Sequence, residues 1–221
     1  MEKVFVRQPE SPTESWSAAW SRPLFRLKFI GVWLMLIPLL ASFHSFFRHI
    51  ERREGPVLND WVLNHIPAHN VSLPVFLLIW GATLLAIVRG YKHPNMLLVM
   101  LWSYLLVTAC RVIGILLIPL DPPQHLVALV DPLTNYFYGK DYVTKDLFFS
   151  GHTSSVFVIF LGLRKKSDKL VVLFAVISLG ILLLVQHVHY TIDVLAAPLF
   201  AYGAHRLAET IEQAGQKASP S

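Results

Sequence analysis

The sequence predicts an all-α, polytopic membrane protein with six transmembrane helices and both termini in the cytoplasm. Hydrophobic residues make up 54% of the 221 residues and charged residues 15%, and the mean hydropathy is +0.52. Soluble domains average about 25% charged residues, so the composition argues against a soluble single-core enzyme and against disorder. Cys110 is the one cysteine, which excludes an internal disulfide. The net charge of +5 does not indicate nucleic-acid binding, because the basic residues cluster beside apolar runs.

Six apolar segments account for the predicted spans, each of which needs about 20 mostly apolar residues. The segments are 27–47, 73–91, 96–120, a short one at 153–163, and a continuous stretch at 170–204. That stretch is too long for one span, and the polar run from Gln186 to His189 divides it into a fifth and a sixth helix. The predicted organisation is an N-terminal cytoplasmic or interfacial segment (1–26), a membrane domain (27–207) and a C-terminal tail (208–221).

The basic residues predict the orientation. With the N-terminus inside, thirteen lysines and arginines fall in inner segments and five in outer loops. Three of those five form a cluster at Arg48, Arg52 and Arg53, which weakens the asymmetry without reversing it.

Ionisable groups at membrane depth are costly, so each one indicates a functional site. They concentrate between Asp146 and Thr153, where the fourth helix starts, and between His187 and Asp193, where the sixth starts. Two spans separate these starts, so both lie on one side of the membrane. With the orientation above, that side is extracytoplasmic, either periplasmic or lumenal.

The spacing within the two segments suits phosphoryl transfer. His189 and Asp193 are four residues apart and share a helix face, so the carboxylate fixes the imidazole tautomer and leaves the other nitrogen as a nucleophile. Ser150 is a favoured N-cap, and the helix that begins at Gly151 offers its N-terminus to an anion. His152, in that first turn, is placed to act as a general acid.

The fourth helix also predicts the depth of the site. Residues 150 to 166 make about 25 Å of helix, which is shorter than the roughly 30 Å hydrocarbon core. A recessed site favours a lipid substrate that enters sideways from the bilayer.

These motifs resemble the sphingomyelin synthase branch of the lipid phosphate phosphatase superfamily. That branch carries Gly-Asp-xxx-Ser-Gly-His-Thr and His-x-His-Tyr-Thr-x-Asp-Val. The matching residues are Asp146, Ser150, Gly151, His152, Thr153, His187, His189, Tyr190, Thr191, Asp193 and Val194. Weaker matches at Pro56, Leu58, Asp60, Arg111 and Pro123 extend the resemblance over about residues 27 to 207.

The resemblance implies a phosphotransferase that moves phosphocholine or phosphoethanolamine from a glycerophospholipid to a lipid hydroxyl, such as that of ceramide or a diacylglycerol-like acceptor. It implies a phosphohistidine intermediate and no cofactor or metal. The expected catalytic residues are His152, His189 and Asp193. The expected substrate-binding residues are Ser150, Gly151, Asp146, Arg111, His187 and Tyr190.

The sequence departs from the family in ways that bear on specificity. The synthases' Cys-Gly-Asp is Thr144-Lys145-Asp146 here. The phosphatases of the superfamily carry Lys-xxxxxx-Arg-Pro and an arginine before the last histidine, and neither motif is present. Because a phosphodiester carries less charge than a monoester, this favours a diester substrate. A lipid phosphate phosphatase and a phospholipase C-like hydrolase remain the alternatives.

Several assignments stay open at this level. Arg111 pairs with Asp121 or Asp60, or contacts phosphate. Asp146 orients a histidine or caps its loop, and His187 shapes the site or makes a helix-end contact.

A non-enzymatic membrane protein is the remaining class, as a transporter, a scaffold or a b-type cytochrome that uses His44 opposite His189. His-x-His spacing alone is poor evidence for zinc.

Overall fold

The computed structural model describes residues 15–130 and 143–214, and the regular elements in those ranges are all helical. The helices are α1 (Trp16–Ser21), α2 (Pro23–Ala41), α3 (Phe43–Glu51), α4 (Ser72–Lys92), α5 (Pro94–Leu117), α6 (Gly151–Gly162), α7 (Lys166–Val185) and α8 (Thr191–Gln213), with a short 3-10 turn at Leu63–His65. The all-α prediction is therefore confirmed for the described ranges.

Four helical segments are long and apolar enough to cross a membrane. They are Pro23–Glu51, Ser72–Lys92, Pro94–Leu117 and Lys166–Val185. The other two predicted spans correspond to α6, an apolar helix of 12 residues, and to α8, whose last turns carry Arg206, Glu209 and Glu212. The helices lie where the sequence predicts them, while six spans and the orientation of the termini stay predictions.

The ends of the membrane domain differ in detail from the predicted boundaries. The first apolar segment begins at Pro23, a residue suited to the first turn of a helix, and α3 continues it to Glu51. At the other end, α8 runs to Gln213, so the predicted C-terminal tail begins as helix. Residues 1–14 and 215–221 of the two predicted terminal segments lie outside the described residues.

The N-terminal segment includes the short helix α1. Ser15 caps it by accepting a hydrogen bond from Ala18 N, and Trp16 Nε1 donates to Tyr91 O at 2.8 Å. The Trp16 ring also contacts Phe25 and Phe29 edge to face. These contacts hold α1 against the ends of α2 and α4.

The centre of the bundle is α5, which packs against α8, α6, α4 and α2. On α8 the buried positions facing this core are small, with Ala197 and Ala201 fully buried beside Val107 and Val158. Small residues let helices approach closely, as helix packing in membranes requires. The opposite faces of the helices expose large apolar side chains such as Leu84, Phe174 and Leu199, which suits contact with lipid.

The polar run that interrupts the last apolar stretch forms the turn between α7 and α8. Gln186 is fully buried there, and its amide accepts from Val71 N and donates to Ser72 Oγ and Ala128 O. A buried amide with its groups satisfied is a costly feature to disrupt. It fastens the loops at this end of the bundle, which is the end at which α6 and α8 begin.

Candidate active site

The starts of α6 and α8 meet, as the sequence predicts. Ser150 N, just before α6, donates to Asp193 O in the first turn of α8 at 3.0 Å. The imidazole rings of His152 and His189 lie with their centroids 6.3 Å apart and their planes at 65°. A phosphorus atom bonded to one ring nitrogen would therefore lie within reach of the other ring.

Asp193 lies beside His189 on α8. Its Oδ2 is 3.5 Å from His189 Nδ1, and the Asp193 side chain is fully buried. The same oxygen accepts from Tyr190 N at 3.1 Å, which fixes the carboxylate at the helix start. Oδ1 is buried and accepts no hydrogen bond from the described residues. A buried polar atom without a partner calls for an explanation, and a catalytic role is one such explanation. The contact between Oδ2 and Nδ1 directs His189 Nε2 away from the carboxylate.

Arg111 projects from α5 to the start of α6. Its Nη2 forms an ion pair with Asp146 Oδ1 at 2.5 Å, and its Nε donates to Phe149 O at 3.0 Å. The alternative in which Arg111 pairs with Asp121 or Asp60 is thus wrong, and the other alternative, a phosphate contact, stays a prediction. The closer partner is the carboxylate of the segment that leads into α6, which the sequence separates from Arg111 by a long connection.

Gly151 is required where α6 begins. A Cβ atom at this position would overlap Cζ and the two terminal nitrogens of the Arg111 guanidinium group. The absence of a side chain therefore lets a cation lie directly against the first turn of α6. The helix N-terminus adds its own positive potential at the same point.

Ser150 is the predicted N-cap, and the structure confirms it. Its hydroxyl oxygen accepts from Thr153 N at 3.3 Å and from Thr153 Oγ1 at 3.1 Å. Both residues are buried. The cap fixes the direction of α6 and, with it, the position of His152 one residue past Gly151.

Asp146 lies within the electrostatic range of both histidines. Burial raises the pKa of its carboxyl, but the charge and hydrogen bond of Arg111 outweigh that effect and hold the pKa below its ordinary value. Positive charge on His189 and His152 lowers the pKa further. Asp146 is therefore an anion that balances the positive charge of Arg111.

His187 and Tyr190 face the loops. His187 Nδ1 lies 3.0 Å from Gln124 O and Nε2 lies 3.0 Å from Ile66 O, while the Tyr190 hydroxyl donates to Asp121 O and accepts from Leu58 N. These contacts favour the helix-end alternative for His187. The two residues also line a cavity of about 760 Å³ among the loops, and neither His152 nor His189 lines it.

Asp60 anchors the loop after α3 to the start of α8. Its carboxylate accepts from Thr191 N at 2.6 Å and from Thr191 Oγ1 at 2.9 Å. Burial raises the pKa of the Asp60 carboxyl, but the hydrogen bonds from Thr191, Leu63 and Val62 outweigh it and hold the pKa below its ordinary value. Asp60 thus positions the helix that carries His189.

Glu51 has a comparable role that sequence reasoning missed. At the end of α3, its Oε1 accepts from Thr144 N at 2.6 Å and Lys145 N at 2.8 Å, and its Oε2 accepts from Thr144 Oγ1 at 2.8 Å. Lys145 Nζ in turn pairs with Asp121 at 2.6 Å. Residues 51 and 144 are far apart in the sequence, so no spacing pattern indicates that they are in contact. Glu51 also stands among arginines, and the segment is therefore interpreted from the sequence as a basic cluster.

Metal ligation has no geometric support in the described part of the chain, where no three His, Cys, Asp or Glu side chains converge. His44, the alternative haem ligand, is exposed on α3, whereas His189 is buried against Asp193 and His152.

Residues 145–209 match the family model described as PAP2 superfamily C-terminal. This match covers 65 of the 221 residues and includes His152, His189 and Asp193, so this part of the chain is similar to the PAP2 superfamily. The comparisons with curated proteins and with solved structures found no match.

Proposed function

We propose that this protein is a membrane lipid phosphotransferase, which moves a phosphocholine or phosphoethanolamine head group from a glycerophospholipid to a lipid hydroxyl such as that of ceramide. The observation that carries the proposal is the pair of imidazole rings 6.3 Å apart, one of them beside a buried carboxylate. Two histidines of this kind supply both the nucleophile and the general acid of a two-step displacement.

In the first step His189 Nε2 attacks the phosphorus atom of the donor. A nitrogen–phosphorus bond forms and the bond from phosphorus to the diacylglycerol oxygen breaks. His152 gives its proton to that departing oxygen, so diacylglycerol leaves as a neutral alcohol. Asp193 stabilises the positive charge that develops on the His189 ring, because its Oδ2 lies toward Nδ1. The separation of 3.5 Å is within the range found before a substrate tightens such contacts.

In the second step the acceptor hydroxyl replaces diacylglycerol. His152 takes the hydroxyl proton while the oxygen attacks phosphorus, and the bond from phosphorus to His189 breaks. The products are the new phosphodiester lipid and the regenerated histidine pair. If water takes the place of the lipid hydroxyl, the same residues perform a phospholipase C-like hydrolysis.

The cations of the site support a substrate of low charge. Arg111 lies against the start of α6 but is balanced by Asp146. Lys145, the other cation of that segment, is bonded to Asp121 and to Arg53 O. A phosphomonoester with nearly two negative charges would need more positive charge than this arrangement offers, whereas a diester carries one.

The depth of the site supports a lipid substrate. The 12 residues of α6 make about 18 Å of helix, which is less than the roughly 30 Å core of a bilayer. His152 is half-buried and contacts Phe76 of α4 edge to face at 6.2 Å. An apolar wall beside the general acid suits a diacylglycerol chain better than a soluble metabolite.

A lipid phosphate phosphatase is the second candidate, because the matched family model belongs to the PAP2 superfamily. It would use the same His189 nucleophile and His152 acid, with water as the acceptor. It would release inorganic phosphate from a phosphomonoester lipid such as phosphatidic acid.

A head-group transfer assay tests these alternatives. Purified protein in mixed micelles receives head-group-labelled phosphatidylcholine or phosphatidylethanolamine, with and without ceramide, beside a His152→Ala control. Label that moves into a new sphingolipid, and does so only with His152 intact, is the expected result.

Other products separate the alternatives. Free phosphocholine or phosphoethanolamine would replace the transferase with a hydrolase. Intact diesters alongside phosphate release from phosphatidic acid would favour the phosphatase. No turnover of either lipid class would overturn the proposal.

A further inference from the structure

The outer end of the first span carries cations that the catalytic site does not use. α3 continues the first span to Glu51, which is bonded to Thr144 near the start of α6. α3 therefore lies at the same end of the bundle as the histidines. Three arginines fall within six residues there, at Arg48, Arg52 and Arg53.

The three arginines have different surroundings. Arg53 is structural, because its Nη2 and Nη1 donate to Ile115 O at 2.7 Å and Leu116 O at 3.1 Å, at the C-terminal end of α5. Arg48 and Arg52 are exposed, and within residues 15–130 and 143–214 their guanidinium groups make no hydrogen bond or ion pair. Like charges one helical turn apart repel each other, so the pair is destabilising unless an anion binds it.

These two arginines form one surface with their neighbours. Ser45, Arg48, His49 and Arg52 line a shallow cavity of about 190 Å³ on α3, and we call these four residues the α3 basic face. They bring two guanidinium forks, an imidazole and a hydroxyl to one concavity. Guanidinium groups bind phosphate oxygens in pairs and with fixed geometry.

The length of the helix sets the depth of the basic face. Pro23–Glu51 spans 29 residues, or about 43 Å, whereas the hydrocarbon core is about 30 Å thick. The last nine residues, which are α3, therefore reach the head-group layer. The other side of α3 carries Phe43, Phe46 and Phe47, whose rings contact one another at 5.2 to 6.4 Å. Aromatic rings on one side and cations on the other are typical of a helix at the membrane interface.

We infer that the α3 basic face binds the phosphate of an anionic phospholipid in the leaflet on the histidine side. This inference rests on three observations: the α3 basic face is positively charged, it lies at the depth of the head groups, and Arg48 and Arg52 form no ion pair with a carboxylate of the described residues. It concerns a lipid site outside the catalytic pair and holds whichever reaction the histidines perform. Through Glu51, the same helix is bonded to the segment that carries Asp146.

Native mass spectrometry of the full-length protein in detergent tests the site. The protein is titrated with dioleoylphosphatidylglycerol and, separately, with dioleoylphosphatidylcholine. The double variant Arg48→Gln/Arg52→Gln is expected to lose about 25-fold of the preference for phosphatidylglycerol, at about fivefold for each arginine. Arg48→Lys/Arg52→Lys keeps the charge and is expected to retain part of the preference.

A matched control removes the same charge elsewhere. Arg26 and Lys92 are exposed at the opposite end of the bundle, and Arg26→Gln/Lys92→Gln is expected to keep at least half of the wild-type preference. A photoreactive phosphatidylglycerol with the label in its head group is expected to modify residues 43–53. The inference is overturned by a glutamine pair at the α3 basic face that binds within twofold of wild type, by an equal loss in the control, or by labelling confined to other segments.

Discussion

His189 and His187 stand two residues apart in one motif, yet their surroundings differ. His189 has a buried carboxylate on one side and the His152 ring on the other, whereas both ring nitrogens of His187 lie 3.0 Å from loop carbonyl oxygens. A carbonyl oxygen only accepts hydrogen bonds and a neutral imidazole has one N–H, so His187 donates to one of these two loop carbonyls at a time. The comparison shows that two histidines of one motif differ in their contacts, and for this reason the proposed reactive role falls to His189 and not to His187.

The largest expected effect is the loss of the reactive pair. His189→Ala removes the proposed nucleophile and His152→Ala removes the proposed general acid, and each is expected to lower turnover at least about 1000-fold. Because the two residues act as one unit, the double variant is expected to lose about as much as either single variant. Steady-state rates with labelled donor lipid, and detection of a phosphohistidine adduct that His189→Ala abolishes, measure this. Full turnover by His189→Ala would contradict the mechanism.

A smaller effect is expected when the start of α6 is crowded. Gly151→Ala puts a methyl group into the Arg111 guanidinium, which shifts the cation or the helix. A misplacement of about 1 Å can cost about 100-fold in rate, and that loss is the expected result.

Gly81→Ala is the matched control for this change. It lies within α4, and a Cβ there meets no atom within 4 Å. Its turnover is expected to equal that of the wild type. Equal turnover rates for Gly151→Ala and Gly81→Ala would show that the close contact between Arg111 and Gly151 does not contribute to catalysis.

His187→Asn tests whether His187 is structural, in contrast to the proposed reactive role of His189. His187 has a φ of 56°, a conformation that asparagine tolerates, so the change removes the ring without straining the backbone. Loss of a donor from buried carbonyls is expected to cost about 1–3 kcal/mol of stability, measured as a lower midpoint of thermal unfolding in detergent. Turnover of the folded fraction is expected to stay within about tenfold of wild type. A loss of turnover as large as that of His189→Ala would show that His187 takes part in the reaction.

The smallest effect concerns Asp60 and depends on pH. Asp60→Asn places an amide against Thr191 N, where the carboxylate now accepts a hydrogen bond, at a cost of about 1–2 kcal/mol at pH 7. The folded pKa of Asp60 lies below its ordinary value. The stabilisation is therefore present above about pH 3.9 and is lost as the pH falls through the lower folded pKa.

Thermal unfolding of wild type and Asp60→Asn at pH 7 and at pH 3 measures this difference. The gap between their midpoints is expected to narrow at pH 3. A difference between the midpoints that is independent of pH would show that the carboxylate charge of Asp60 does not contribute to stability.

Most of the helices were predictable, because a long run of apolar residues is typical of a helix that is surrounded by lipid. The break at residues 186–189 and the N-cap at Ser150 follow from local polarity and local hydrogen bonding, and both are found. The continuation of α2 into α3 across Ser42 was not predicted to its full length. From the sequence, the basic residues at the end of α3 are interpreted as part of a loop. The structure continues the helix through them, since cations are compatible with a helix that emerges into the head-group layer.

The partners of the charged groups were not predictable in the same way. The ion pair of Arg111 with Asp146 and the contacts of Glu51 with Thr144 and Lys145 join residues far apart in the sequence. Several carboxylates are available to each cation in the loops, and sequence spacing does not rank them. Only the relative positions of α3, α5 and the segment before α6 decide which pairs form.

The sequence by itself determined that the chain is helical and apolar, and that His152 and His189 each lie at the start of a helix on the same side of the bundle. The lengths of the apolar runs, the N-cap residue and the number of spans between the two motifs can be read from the sequence, and they are sufficient for this. The tertiary structure alone decided that the two rings lie with their centroids 6.3 Å apart, that Arg111 lies against Gly151, and that His187 faces the loops. These depend on how closely α5, α6 and α8 pack, which is set by side-chain volumes and buried charge pairs from distant parts of the chain.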